Sequence, residues 1–191
     1  YWTWHTMAGV DVEPVNVESI ISWYPEAMND YHHPQWTHGG RHHWSEPLFG
    51  YYVSTDKWVL RKHAEMLADA GVDVVFFDCT NATFMWDDAL HALGEVWTEA
   101  RKDGIRAPSI VFMCPFWPMD NSPVLITKIY ERVYKKGLYK DLWFYWDGKP
   151  LIMGHPDKLA DEVVDFFTFR PGQPDYLQGP SLPDHWGWLE M

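Results

Sequence analysis

Cysteine is scarce in this chain: there are two, Cys79 and Cys114, with no Cys-x-x-Cys pair and no zinc-type spacing. That excludes a disulfide framework and a structural zinc fold, and reads both residues as small buried thiols at strand ends. No apolar run approaches the roughly 18 residues that a membrane-spanning helix requires. Cations are few as well. Against 27 Asp and Glu there are 15 Lys and Arg, a formal charge of −12, which is the wrong sign for a nucleic-acid partner. A Gly-rich phosphate loop is also missing after the first expected strand, which argues against a nucleotide-binding sheet.

What is abundant is aromatic surface. Aromatic residues make up 17% of the chain, with 13 Trp, and many fall in Pro- and Gly-rich stretches rather than in periodic segments. Rings at a polar surface can stack on the apolar faces of ligands, sugars included, whereas rings in periodic segments are core.

The organising stretch runs from Gly71 to Asn81. Four of the five residues from Val72 to Phe76 are apolar, mostly β-branched or aromatic, and the run lies between helical patterns and ends on Asp78, as expected of a parallel strand buried on both faces. In a parallel α/β fold the site lies at the carboxyl ends of the strands, which is where Asp78 and Asn81 fall.

The remaining elements follow in order. Tyr1–His5 reads as a short aromatic strand, and Asp56 caps a helix over Lys57 to Ala70 that Gly71 stops. Asp87 or Asp88 caps the next helix, which runs to Asp103-Gly104 and is followed by a strand from Ser109 to Cys114. Ser122-Pro123 opens a further helix ending at Gly137, and Asp147-Gly148 is a tight-turn signal joining Leu142–Trp146 to Lys149–Gly154. A brief helix over Asp157 to Val164 precedes two short strands, Phe166–Arg170 and Trp186–Glu190.

Strand and helix alternate through one domain spanning residues 1–191, so the expected fold is a (β/α)8 TIM-type barrel with six strands visible. A whole barrel typically takes about 250 residues, so we expect an incomplete one. The chain opens on Tyr1 without an initiator Met, which leads us to expect residues upstream. The long stretch from Met7 to Tyr51 has no clean period apart from a turn expected around Val17 to Trp23, and it is expected to lie over the carboxyl ends of the strands.

Reading the residues at or just past each strand end gives His5, Asp78 with Asn81, Cys114 with Trp117 and Asp120, then His155, Arg170 and Glu190. Delivery of polar groups by several strands to one end is the logic of a barrel active site. Asp78 and Glu190 are the candidate catalytic carboxylates, since two carboxylates across a cleft can divide the roles of acid and base or nucleophile. His5, Asn81, Asp120, His155 and Arg170 are candidates for holding substrate hydroxyls, and Trp4, Trp44 and Trp117 for stacking walls. Five histidines crowd the segment from Asp30 to Trp44, namely His32, His33, His38, His42 and His43, but their spacing matches no zinc pattern. No metal and no cofactor is therefore expected.

Tyr1–His5, the segment Glu46-Pro47-Leu48-Phe49-Gly50-Tyr51-Tyr52, the strand Gly71–Asp78 and the stretch Asp147-Gly148-Lys149-Pro150-Leu151-Ile152 together resemble TIM-barrel glycoside hydrolases of the family 71/99-like group. The resemblance covers most of the chain loosely and implies a cofactor-free, carboxylate-based glycosidase acting on a polysaccharide or oligosaccharide, secreted or periplasmic. That family's Trp-Asn-Glu-Trp-like strand end is only partly echoed in Trp186-Gly187-Trp188-Leu189-Glu190. The alternatives are a non-catalytic carbohydrate-binding barrel and a metal-dependent hydrolase.

Overall fold

The computed structural model describes residues 1, 16–30, 32–36, 47–81, 83–115, 121–172 and 182–187. Helix α1 (Val17–Trp23) and a 3-10 turn (Pro25–Asn29) come first, held by a small apolar cluster of Val17, Ala27 and Trp36. Both fall in the long stretch from Met7 to Tyr51, with α1 at the residues where a turn was expected; most of the rest of the stretch lies outside the described residues.

Helix α2 (Lys57–Asp69) starts where expected. The Asp56 carboxylate accepts from Trp58 N at 2.9 Å and Val59 N at 3.1 Å, filling two of the orphan donors of the first turn. Strand β1 (Val74–Asp78) follows, then α3 (Asp87–Lys102) and β2 (Ser109–Met113). Asp87 and Asp88 do not cap α3; they sit in its first turn, where the positive end of the helix dipole favours them. Helix α4 (Ser122–Ile129) begins at Ser122 itself and runs on into a π-helical turn, Tyr130–Tyr134.

Strand β3 (Tyr145–Trp146) folds back onto β4 (Lys149–Met153) through Asp147 and Gly148, both at positive φ (52° and 80°), the signature of a type I′ hairpin turn. Helix α5 (Asp161–Phe166) lies later than the expected helix, and β5 (Thr168–Phe169) is only two residues long.

The sheet corrects the expected fold. It is a mixed five-stranded sheet of order β1-β2-β4-β3 with β5 beside β4, and among the described residues it is not a (β/α)8 barrel. Strands β1, β2, β4 and β5 run parallel, whereas β3 is antiparallel. Alternating strand and helix signals specify parallel strands with helical crossovers, but closure depends on strand number, tilt and shear, which local periodicity does not encode. The hairpin turn then spends one apparent strand on an antiparallel arm. The two expected end strands leave only traces among the described residues. Tyr1 takes a ladder position beside β1, donating from its N to Phe76 O at 2.6 Å and accepting from Asp78 N at 3.1 Å, and Trp186 makes a single parallel bridge to Gly172.

Burial separates the two faces of the sheet. Val75, Phe77, Ile110, Phe112 and Ile152 face the helices and join Leu60, Leu93, Trp97, Leu125, Ile126 and Val163 in the main core. On the other face Met113 and Met153 pack with Phe76 and Trp186.

Candidate functional site

Because β1, β2, β4 and β5 are parallel, their carboxyl ends share one edge of the sheet. Register then lines up the residues across it. Asp78 is level with Met113, Met113 with Met153, and Arg170 is the next residue after Phe169, which is level with Ile152. The row Asp78, Met113, Met153, Arg170 thus spans three strand spacings, roughly 14 Å at ~4.8 Å each. Side chains alternate along a strand, so Asp78 shares the face of Phe76, the face on which Met113, Met153 and Trp186 gather.

Asp78 is 3% exposed, and among the described residues it is the only buried carboxylate. Its Oδ1 accepts from Thr80 N at 2.9 Å, which turns the chain sharply after β1. Directly behind it, Cys79 and Cys114 are fully buried and unbridged, and burial pushes both thiols up, with the nearby Asp78 charge adding to the effect. They are inert core at the back of the edge. Asn81 lies exposed in the loop beyond.

Trp186 forms the floor of this face. Its ring meets Phe76 edge to face at 6.4 Å and Trp146 at 5.7 Å, and its N donates to Pro171 O. Arg170 stacks its guanidinium 5.8 Å above the same ring, donates from Nη1 to Phe169 O and from Nη2 to Asp147 Oδ2 at 3.0 Å. It therefore braces the Trp floor against the hairpin turn. His155 follows β4 by two residues, with its ring 6.0 Å from that of His185.

Of the sequence-derived site residues, the structure brings Asp78, His155 and Arg170 to one edge and leaves Asn81 in the exposed loop after it. Trp4, His5, Trp44, Trp117, Asp120 and Glu190 lie outside the described residues. Sequence reasoning did not single out Asp184, His185, Trp146 or Trp186 for the site, nor Asp147 as the partner of Arg170. The only local signal was the adjacency Pro183-Asp184-His185-Trp186, a charged pair next to an aromatic after a proline.

Among the described residues no three His, Cys, Asp or Glu side chains gather as a metal site, and no helix is long and apolar enough to cross a membrane. In comparisons with known proteins, no family model, no curated protein and no solved structure matches this chain.

Proposed function

We propose that the carboxyl edge binds carbohydrate and hydrolyses a glycosidic bond, with Asp78 as one of the working carboxylates and Glu190 as the second. The observation that carries this reading is a buried carboxylate at a strand end on the sheet face that Trp186 covers: Asp78 at 3% exposure, two residues after Phe76, whose ring meets Trp186, which in turn meets Trp146. A carboxylate at a strand end can serve as an acid, base or nucleophile in glycoside cleavage, and aromatic rings present faces on which sugar rings stack. The cation over the Trp186 ring, Arg170, is already paired with Asp147, so this face suits an uncharged sugar. The resemblance to family 71/99-like glycoside hydrolases points the same way.

A second reading, sugar binding without turnover, is favoured by the bond that Asp78 accepts from Thr80 N, because a turn-building carboxylate need not be a reacting one. Reducing-sugar release from mannan, soluble α-glucan, β-glucan and xylan separates the two. Hydrolysis that survives a chelator supports the glycosidase. Binding to one of these polymers with no release supports the second reading, and neither binding nor release from any of them removes both.

A further inference from the structure

A cavity of about 80 Å³ lies beside the start of α2, and its polar lining is Tyr1, Tyr52, Ser54, Asp56 and His63. Val59 and Leu60, both 3% exposed, form its apolar wall, and the exposed Val53 stands at its solvent side. Tyr1 packs against the main core and meets Trp97 edge to face at 5.8 Å, which puts the cavity on the helix side of the sheet. Asp78 belongs to the other face, so this space is separate from the site described above.

His63 joins the aromatic part of the lining. Its ring meets those of Tyr1 and Tyr52 edge to face, each at 5.8 Å, and its Nδ1 shares the 2.6 Å hydrogen bond with the Tyr1 hydroxyl. Burial lowers the His63 pKa and raises those of both phenols, so all three rings are uncharged at neutral pH. Among the described residues the Tyr52 hydroxyl makes no hydrogen bond, which leaves it to a ligand. The Asp56 carboxylate already accepts from Trp58 N and Val59 N, and no Lys or Arg among the described residues lines the space. An anion thus meets no cation here, and a cation meets a carboxylate committed to the helix start.

Size narrows the ligand further. The volume is about half of the ~150 Å³ that takes the six carbons of benzene, which leaves room for roughly three or four non-hydrogen atoms. A neutral molecule of that size, with carbons for the Val59 and Leu60 wall and hydroxyls for the phenol, imidazole and serine groups, is a vicinal diol.

We infer that this cavity binds a small neutral vicinal diol, the Tyr52 hydroxyl bonding one oxygen while Val59 and Leu60 cover the carbons. The diol is either a free one or the end of a longer polyol. The inference does not depend on the carbohydrate reading of the carboxyl edge.

The test titrates the full chain, isotope-labelled at histidine, with ethylene glycol and follows the His63 resonance by NMR, identified by its loss in His63→Gln. The expected result is a saturable shift with a Kd on the order of 1–100 mM, as the small number of ligand atoms dictates. The same shift with sorbitol assigns the site to a polyol end, and a shift with ethylene glycol alone assigns it to a free diol. Tyr52→Phe keeps the ring against His63, removes the hydroxyl, and should raise Kd about three- to tenfold, as loss of one hydrogen bond implies. Val59→Ile adds a methylene to the wall and should weaken binding with the thermal midpoint unchanged or raised, so it decides the matter if Tyr52→Phe destabilises the chain. No saturable shift, an equal shift with propan-1-ol at the same concentration, or a parent-like Kd in both variants overturns the site.

Discussion

Arg170 and Trp186 are stacked at 5.8 Å, and the same guanidinium reaches Asp147 at 3.0 Å, so one side chain joins the end of β5, the hairpin turn and the aromatic floor. Lysine keeps the charge but lacks the planar fork that stacks and bonds at once. Arg170→Lys should therefore destabilise the fold by about 1–2 kcal/mol. Urea unfolding checks this, and a change within about 0.5 kcal/mol, the ordinary surface range, would show the stack to be incidental.

Helix α2 depends on its cap. Removing the Asp56 carboxylate leaves Trp58 N and Val59 N without their side-chain acceptor, and Asp56→Ala should cost about 1 kcal/mol. Asp56→Asn should recover most of it, because the amide oxygen can accept the same bonds. Thermal unfolding of the two variants side by side is the measurement, and equal losses would refute the capping account.

Gly94 lets α3 approach Tyr139 closely: a Cβ at this position would stand 2.6–2.7 Å from ring atoms of Tyr139, whose hydroxyl is held by His91 at 2.9 Å. Gly94→Ala gains helix propensity but forces that ring aside, and overpacking wins at roughly 1–3 kcal/mol. A stabilised Ala variant in denaturant titration would contradict the packing described.

His63 gives the stability a pH dependence. Its Nδ1 shares a 2.6 Å hydrogen bond with the Tyr1 hydroxyl beside a cavity of about 80 Å³, and burial lowers its pKa. The unfolded chain, with an ordinary histidine near ~6.5, binds the proton more readily than the folded one. The stability from the neutral ring is thus complete above that value and is lost as pH falls through the lower folded pKa. His63→Gln should flatten this loss between neutral and mildly acidic pH in unfolding titrations; a profile parallel to the parent's would assign it to other groups.

The elements were legible where end signals were unambiguous. Asp56 and Gly71 bound α2, the apolar run ending on Asp78 is β1, and Asp147-Gly148 makes its hairpin. Closure was not legible, because Val74–Asp78 and Ser109–Met113 would show the same pattern in an open sheet or a barrel. The edge that carries Asp78, His155 and Arg170 followed from strand order alone. His185 and Trp186 did not, since they enter on one isolated bridge with no period to read, and Arg170 looked like a substrate contact because its partner Asp147 read only as a turn residue.

The glycosidase reading is tested most directly by Asp78→Asn in the full chain, assayed for reducing-sugar release on the responsive polysaccharide with the thermal midpoint and sugar affinity measured in parallel. The amide keeps the size of the side chain and the bond from Thr80 N while removing the charge and the proton-transfer capacity. The account predicts a fall in turnover of about 10²–10⁴-fold with midpoint and affinity nearly unchanged. Retention of most of the activity, or a loss matched by a falling midpoint, would contradict it and leave Asp78 as the residue that turns the chain after β1.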